Sequence, residues 1–402
     1  MIAEVGDKST RKAALHPFTV GCVLLGVAAI PDAMVVPVMH DLCVTRFGIT
    51  EGAAHAFMVV NLLGAVLAVG LLALLNRRIP TSKLLLIAAG SSSLLMAGMA
   101  IAPSWWVFLS LRCIEGGADL LLLSIPFRMI ASCGKGERYG GRMGAAFTVM
   151  FLALALGAGI GTVIGQDHAT NVLWASAVSC GVLFLIVAFV QTTVDITSVS
   201  PRPDAGKCPL IPSEWIGAIF LALDRGLSAL VSVTLPLLIV SGFEVSKWTL
   251  GVGIGGMFIA LALFSPAAGI LADRVGGLRI RAIAACVSGV GLIGLGLMNV
   301  VPPVVILAPS LMLYGVGAAG LMPSAFSSCV RPEASTLVFS SLQAAGQCGY
   351  AMGIVAGGIL ISIYAVPAQT MLTILFPIAG VVFICINLLL ISLLRLTRNT
   401  VR

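Results

Sequence analysis

The chain has 402 residues, of which 59% are hydrophobic and 10% are charged, and its mean hydropathy is +1.10. This composition excludes an ordinary soluble globular domain. The net charge of +7 does not indicate nucleic-acid binding, because no basic patch is interleaved with aromatic residues.

Twelve apolar runs are long enough to cross a bilayer as helices, which takes about 20 residues. In chain order, the predicted helices are Phe18–His40, Ala53–Leu75, Leu84–Ala102, Trp105–Phe127, Met143–Gly165, Asn171–Val194, Trp215–Val240, Trp248–Ala272, Ala282–Val301, Val304–Cys329, Ser335–Tyr364 and Ala368–Leu394. The runs are continuous rather than alternating, which argues against a β-barrel. The sequence therefore predicts an all-α membrane protein with twelve transmembrane helices.

The positions of lysine and arginine support this count. With the N-terminus in the cytoplasm and alternating segments, only Arg46 and Lys247 fall on the opposite side of the membrane. The cytoplasmic group includes three arginines after the eighth helix, which are Arg274, Arg279 and Arg281. This bias predicts a multi-pass protein with both termini cytoplasmic. The absence of an Asn-x-Ser/Thr sequon favours a bacterial cytoplasmic (inner) membrane.

A polar connector at residues 195–214 carries four prolines and separates the sixth helix from the seventh. It predicts a cytoplasmic linker between two six-helix halves, 1–194 and 215–402. The segment GILADRVGGLRIR follows the eighth helix, and GLLALLNRRIP stands at the matching place after the second. Corresponding basic hairpins predict a pseudo-symmetric bundle with a binding site between the halves near the membrane midplane.

Four motifs resemble those of the major facilitator superfamily. The loop motif is Gly269-x-Leu271-Ala272-Asp273-Arg274-x-Gly276, followed by Arg279 and Arg281. Arg112-x-x-Glu115-Gly116 with Ala118 resembles a second motif, which normally has Gln where Glu115 stands. Asp32-x-x-x-x-Pro37 resembles a motif of the drug/proton antiporters. Gly157-Ala158-x-x-Gly161 resembles the antiporter motif, with Ala158 in place of the usual Pro.

The resemblance implies a secondary active transporter that alternates between inward-open and outward-open forms. It also implies a gating role for Asp273 and Arg274, which would latch the halves together in the outward-open state. The alternative is that Asp273 and Arg274 belong to a solvated loop turn aided by Gly276 and Gly277.

Three ionisable residues form a stripe on the predicted fourth helix. Arg112, Glu115 and Asp119 stand at i, i+3 and i+7 and therefore share one face. Charges at membrane depth are costly, so this face is expected to point into the bundle. We assign the three residues to proton coupling, because burial raises the pKa of a carboxyl group and a nearby arginine lowers it. The alternative is a static ion-pair network that holds the helix in place.

Two other helices also carry charges at membrane depth. Asp32 lies between two prolines on the first helix and is predicted to bind a proton or a cationic substrate. The alternative is that Asp32 only pairs with Arg112 or Arg225 and has no role in transport. Asp224 and Arg225 on the seventh helix are predicted to contact substrate. Alternatively, they neutralise charges of other helices, or Arg225 and Arg112 flank an anionic substrate from opposite halves.

Uncharged polar residues complete the predicted substrate site. They are Gln343, Gln347 and Tyr350 on the eleventh helix, with Asn61 and Tyr314 as candidates of lower rank. Hydrogen-bonding groups of this type can orient a substrate. The alternative for the eleventh helix is interhelical hydrogen bonding, worth about 0.6 kcal/mol per residue in a bilayer.

Other kinds of chemistry are not indicated. No Gly-Lys-Ser/Thr element accompanies the glycine runs, so ATP hydrolysis is not the energy source. The ten cysteines form no CxxC pair, and the four histidines are far apart, so neither a metal site nor a cofactor is expected. The residues that remain are those of a transporter rather than an enzyme.

The sequence therefore predicts proton-coupled efflux of a small organic molecule, either a drug or a metabolite, by a monomer in the lipid bilayer. One alternative is uptake or exchange of an organic anion through Arg112 and Arg225. Another is a membrane assembly factor that uses the same fold without transport. We expect small-molecule substrate and protons to be the partners, and no nucleic acid.

Overall fold

Within hydrocarbon, a chain must satisfy its backbone N–H and C=O groups internally, so apolar runs fold into helices. The computed structural model describes residues 17–75, 79–132, 139–191, 212–243, 245–329, 336–363 and 367–400, and these residues contain helices and no strand. The long helices of the first half are α1 (Pro17–Met34), α2 (Ala56–Leu75), α3 (Thr81–Ala100), α4 (Trp105–Ser132), α5 (Tyr139–Ile164) and α6 (Thr170–Gln191). Those of the second half are α7 (Pro212–Ala229), α8 (Lys247–Val275), α9 (Gly277–Leu295), α10 (Pro303–Cys329), α11 (Thr336–Ile363) and α12 (Ala368–Thr400).

Short irregular segments extend several of these helices. A 3₁₀ turn at Val36–Val38 and a π-helical turn at Asp41–Thr45 follow α1, and a short helix at Glu51–Ala54 precedes α2. A π-helical turn at Leu230–Thr234 joins α7 to a further helix at Leu235–Phe243. A 3₁₀ turn at Gly296–Asn299 follows α9. Irregular turns of this kind are frequent at functional sites in membrane helices.

Eleven of the described helices are long and apolar enough to cross a membrane. The remaining long helix, α4, has 28 residues and carries the charged stripe of Arg112, Glu115 and Asp119, which lowers its apolar character. The all-α membrane fold predicted from the sequence is therefore confirmed.

Several predicted boundaries differ from the observed ones by a few residues, and two of these differences matter most. Helix α7 begins at Pro212, so the last three residues of the predicted connector are helical. Helix α9 begins at Gly277, and Arg281 is therefore a helical residue that is fully buried in the protein. Its assignment to a cytoplasmic loop was wrong, because a loop motif does not show where the next helix starts. The rest of the connector, residues 192–211, lies outside the described residues.

The same helix contacts recur in both halves. In the first half, α2 packs on α4, α1 on α5, and α3 on α6. Six helices later, α8 packs on α10, α7 on α11, and α9 on α12. The fold is therefore pseudo-symmetric. Between the halves, α5 packs along α8, and α11 contacts α2 and the short helix at Glu51–Ala54.

Glycines bring equivalent helix pairs close together. On α5, a Cβ at Gly157 would overlap the Ile30 carbonyl, and one at Gly161 would overlap the Met34 carbonyl. On α11, Gly349 meets the Ala222 carbonyl and Gly353 meets that of Gly226, with the same spacing of four residues. Small residues permit such close backbone approach between membrane helices. In this register, Ile30 corresponds to Ala222 and Met34 to Gly226, so Asp32 on α1 corresponds to Asp224 on α7.

Candidate functional site

A buried ion pair occupies the N-terminal part of the α4 stripe. Nη1 of Arg112 lies 2.5 Å from Oε2 of Glu115, and each side chain is 3% exposed. The Glu115 carboxylate also accepts hydrogen bonds from Nδ2 of Asn61 on α2 (3.1 Å) and from Oγ of Ser92 on α3 (3.3 Å). Glu115 is therefore held inside the first half by three partners, and Asn61 uses one amide N–H for this contact.

Arg112 is less completely satisfied than its partner. Its guanidinium stacks over the ring of Phe57 at 4.7 Å, and Nη2 reaches only the sulfur of Met58, at 4.0 Å. Its Nε is buried and has no hydrogen-bond partner among the described residues. A buried N–H without a partner is costly and is an uncommon feature of native proteins. Arg112 can therefore accept a second anionic partner without losing Glu115.

Two further carboxyl groups lie beside this ion pair. Asp119 interacts electrostatically with Asp32 on α1, and both interact with Glu115 and Arg112. The fold therefore brings Asp32 to the α4 stripe, as the sequence analysis expected. In the described part of the chain, neither Asp32 nor Asp119 makes a hydrogen bond or ion pair, and each keeps part of its surface accessible.

In the second half, Asp224 is the partner of a buried arginine. Nη2 of Arg281 lies 2.7 Å from Oδ1 of Asp224, and Nη1 lies 3.0 Å from Oδ2. Arg281 also donates to Oδ1 of Asn387 and to two carbonyl oxygens, and it lies 3.7 Å above the ring of Phe220. The pair is buried and saturated. This supports the alternative that Asp224 neutralises the charge of another helix over the prediction that it contacts substrate.

Arg225 differs from its neighbour in sequence. It has no hydrogen bond or ion pair with any described residue, and its side chain is partly accessible. It interacts electrostatically with Tyr314 on α10 and Tyr350 on α11. The Tyr314 hydroxyl lies 3.3 Å from that of Ser228, and the Tyr350 hydroxyl lies 2.8 Å from that of Ser232. Ser228 on α7 and Ser232 in the π-helical turn that follows it therefore hold the two phenol hydroxyls.

The two polar groups meet at Tyr350. This residue interacts electrostatically with Arg225 in its own half and with Asp32 and Arg112 in the other half. These interactions agree with the predicted site between the halves, whose residues stay a prediction. Gln347 is half-buried and has no hydrogen bond with a described residue, and the side chain of Gln343 lies outside the described residues.

The two ends of the bundle differ in the contacts between the halves. We call the end where α1 finishes and α8 begins the Asp41 end. There, Nζ of Lys247 lies 2.5 Å from Oδ2 of Asp41 and donates to the carbonyl oxygens of Gly165 and Gln166 at 3.2 and 3.3 Å. A second contact at this end joins Nε2 of His55 to Oγ1 of Thr234, 3.2 Å apart. Lys247 and Thr234 belong to the second half, so these contacts hold the halves together.

The contact with Lys247 changes the pKa of the Asp41 carboxyl group. Burial raises the pKa of its carboxyl group, but hydrogen bonds and charge from Lys247 and His40 outweigh burial, and the pKa lies below its ordinary value of 3.8. Asp41 is therefore ionised at neutral pH and available to pair with Lys247.

The opposite end carries the predicted gating residues. Asp273 and Arg274 are exposed, and the described residues give them no hydrogen bond or ion pair. Among the described residues, the Asp41 end thus carries polar contacts between the halves and the Asp273–Arg274 pair carries none, so the gating role of this pair stays a prediction.

Comparison with known families identifies the fold. The family model described as the Major Facilitator Superfamily matches residues 21–331. The chain belongs to the major facilitator superfamily. As a member, it is a multi-pass membrane transporter of small molecules rather than an enzyme. No curated protein sequence matches this superfamily member.

Solved structures of other superfamily members have the same fold. A structure of tetrameric PepTSo2 has a TM-score of 0.72 and 12% identity and covers 96% of this chain and 99% of its own. The nucleoside transporter NupG has a TM-score of 0.68 at 13% identity, covering 94% of this chain and 99% of its own. The human organic anion transporter MFSD10 has a TM-score of 0.59 at 18% identity, covering 92% and 99%. These likenesses establish the fold of this transporter.

Sequence reasoning missed four residues that the fold makes important. Ser92 and Asn387 are uncharged and lie on helices without a charged stripe, so nothing local indicates them. Asp41 was not singled out, and Lys247 was used only to assign a side of the membrane. The only available signal for Asp41 and Lys247 was that both lie near helix ends on the predicted non-cytoplasmic side of the membrane.

Proposed function

We propose that this transporter exports a small organic molecule in exchange for protons, by alternating access in a bacterial inner membrane. The main support is that two carboxyl groups, Asp32 and Asp119, have no partner among the described residues and lie beside the Arg112–Glu115 pair. In this pair, Nε of Arg112 has no hydrogen-bond partner among the described residues. Free acids at membrane depth mark proton or substrate pathways. The halves predicted at 1–194 and 215–402 are the bodies that rock around this site.

Coupling follows from competition for the same carboxyl groups. When Asp32 and Asp119 are ionised, they attract the cationic group of a substrate, and Arg112 limits their mutual repulsion. When protons enter from outside, they neutralise these acids and weaken substrate binding. Substrate arriving from the cytoplasm then expels the protons. This exchange needs both acids and Arg112 but no energy source other than the proton gradient.

The contacts at the Asp41 end support an order of states. Positive-inside topology places both termini in the cytoplasm, so the Asp41 end faces outside. The Asp41–Lys247 and His55–Thr234 contacts then close the outer side of the predicted site between the halves. Asp273 and Arg274, which carry no partner in the described chain, form the cytoplasmic latch in the other state. The cycle alternates between these two sets of contacts.

The test uses proteoliposomes with an imposed pH gradient. The transported compound is chosen by thermal stabilisation of the purified protein from a panel of organic cations, anions and zwitterions. We expect Asp32→Asn and Arg112→Ala to lose gradient-driven efflux, whereas Asp167→Asn, at an exposed turn between α5 and α6, keeps it. Unchanged gradient-driven efflux in both site variants would refute the assignment of roles.

A second candidate is uptake or exchange of an organic anion, favoured by the free guanidinium of Arg225. Arg112 supports it less, because Glu115 already neutralises it. The organic anion transporter MFSD10 shares the fold, which agrees with this candidate without selecting it. If only carboxylates or phosphates stabilise the protein in the thermal panel, anion transport replaces cation export.

A further inference from the structure

The central site contains two separate groups of ionisable side chains that have no partner among the described residues. The first half contributes the carboxyl groups of Asp32 and Asp119, and the second half contributes the guanidinium of Arg225. In the described part of the chain, none of the three makes a hydrogen bond or ion pair, although all three keep accessible surface. The site is therefore polarised, with an acidic side on α1 and α4 and a basic side on α7.

The nearest opposite charges within each half are already used. Asp224 adjoins Arg225 in sequence, but both of its oxygens accept from Arg281. Glu115 and Arg112 pair with each other at the acidic side. Each side thus lacks a counterion of its own, and an unpaired charge away from water is costly. A molecule entering from solution is the remaining source of counterions.

The two sides lie within reach of one small molecule. Tyr350 packs against the hydrophobic cluster that contains Met34, two residues beyond Asp32. One turn earlier on α11, a Cβ at Gly346 would lie 3.3 Å from Cγ of Arg225. Helix α11 therefore lies beside both the acidic and the basic side. The Tyr350 hydroxyl is fixed by Ser232, and the Tyr314 hydroxyl near Arg225 is fixed by Ser228. These hydroxyls can donate a hydrogen bond to, or accept one from, a ligand that lies between the acidic and basic sides. Arginine is well suited to bind a carboxylate through two parallel N–H donors.

We propose that the transported molecule is a small zwitterion, with an ammonium group at Asp32 and Asp119 and a carboxylate at Arg225. This inference rests on the proposed function and names the substrate class of the same site. A simple cation leaves Arg225 without a partner, and a simple anion leaves two carboxyl groups unpaired. A zwitterion satisfies both sides at once and bridges α1 and α4 of one half to α7 of the other.

The test uses matched triplets of probes. Each triplet is a free amino acid, its carboxamide and its N-acetyl derivative, built on leucine, phenylalanine and serine, with two dipeptides blocked in the same way. The carboxamide keeps only the positive charge, and the acetyl form keeps only the negative charge. Thermal unfolding of the full-length protein in detergent measures binding. We expect a free zwitterion to act at a concentration at least about 10-fold lower than either blocked form.

Variants assign each charge to its side. Arg225→Gln is expected to bind the zwitterion no better than the carboxamide, whereas Arg225→Lys keeps a preference for the zwitterion. The double variant Asp32→Asn/Asp119→Asn is expected to bind it no better than the acetyl form. Size-exclusion profiles and unfolding without ligand check that the variants fold. Should Arg225→Gln and Arg225→Lys both fail to fold, the wild-type triplets decide.

The inference is overturned if no zwitterion in the panel stabilises the protein, if a blocked form is as effective, or if Arg225→Gln keeps the preference. Flux measurements separate this failure from failure of proton coupling. Zwitterion flux that ignores an imposed pH gradient contradicts proton-coupled export and leaves the substrate class standing. Gradient-driven flux of the carboxamide, with no preference for the zwitterion, contradicts the substrate class and leaves proton-coupled export standing.

Discussion

Asp32 and Asp224 occupy equivalent positions in the two halves of this transporter, but their surroundings differ. Each lies two residues beyond a carbonyl that packs against a glycine, at Ile30 on α1 and at Ala222 on α7. Asp224 receives two hydrogen bonds from Arg281. Asp32 receives none from the described residues. The same backbone position thus holds a saturated structural pair in one half and a free carboxyl group in the other.

The same contrast separates the two buried arginines. Arg281 uses Nε, Nη1 and Nη2 in hydrogen bonds to a carboxylate, an amide and two carbonyls. Arg112 has one carboxylate, one distant sulfur and an unsatisfied Nε. A saturated group has nothing to gain from a change of partner, whereas an unsatisfied one does. Arg281 therefore acts as a rigid support in the second half, whereas Arg112 in the first half can exchange partners.

The largest expected effect comes from breaking the saturated pair. Arg281→Met should lower the free energy of unfolding by about 3–5 kcal/mol, because it leaves the Asp224 carboxyl group buried and uncompensated. Chemical or thermal unfolding of the purified protein measures this loss. The double variant Arg281→Met/Asp224→Leu should recover part of it. A single variant as stable as wild type would show that the pair has no structural role.

A smaller loss should follow from separating the helices that hold Glu115. A Cβ at Gly116 on α4 would overlap the Asn61 carbonyl on α2, so Gly116→Ala should cost about 1–3 kcal/mol of stability. Gly159→Ala is the matched control, since nothing lies within 4 Å of a Cβ there. Unfolding curves of the two variants test this difference. Equal stability of the two variants would contradict the close packing of α2 on α4.

The contact at the Asp41 end should contribute less, because both side chains are partly exposed. Asp41→Asn and Lys247→Gln should each change stability by at most about 1 kcal/mol, less so at high salt. The pKa of Asp41 is lowered in the folded protein, so the contribution is full above its ordinary value of 3.8 and is lost as pH falls through the lowered pKa. Unfolding of wild type and Asp41→Asn between pH 7 and 3 measures this. A contribution lost already near pH 6 would contradict the Asp41–Lys247 assignment.

The smallest change in stability is expected at the free acid. Asp32→Asn should alter the free energy of unfolding by less than about 1 kcal/mol, because it removes no hydrogen bond or ion pair. Asp224→Asn, at the equivalent position, should cost more. Unfolding of these two variants side by side tests the contrast between the halves directly. Equal losses would mean that Asp32 is held as tightly as Asp224.

Much of the fold and part of the site follow from local sequence patterns. The spacing of Arg112 and Glu115 on one helical face predicts their proximity, since residues at i and i+3 are neighbours on a helix. The contact of Asp32 with the α4 stripe was expected only from the cost of a lone charge at that depth. The role of Asp224 was not predictable, because its partner Arg281 lies 57 residues away and was assigned to a loop. Arginines that follow a transmembrane helix usually mark the cytoplasmic side, and that tendency concealed a buried group.

The sequence by itself determined the helical membrane fold, because apolar runs of bilayer length and the distribution of basic residues are local properties that hydrocarbon and leaflet charge act on directly. Only the tertiary structure decided which ionisable groups are paired. Pairing depends on how helices from distant parts of the chain approach one another, and this approach is set by small residues such as Gly161 and Gly353 at the contacts. The packing gave Asp224 a guanidinium and left Asp32, Asp119 and Arg225 without a hydrogen-bond or ion-pair partner among the described residues.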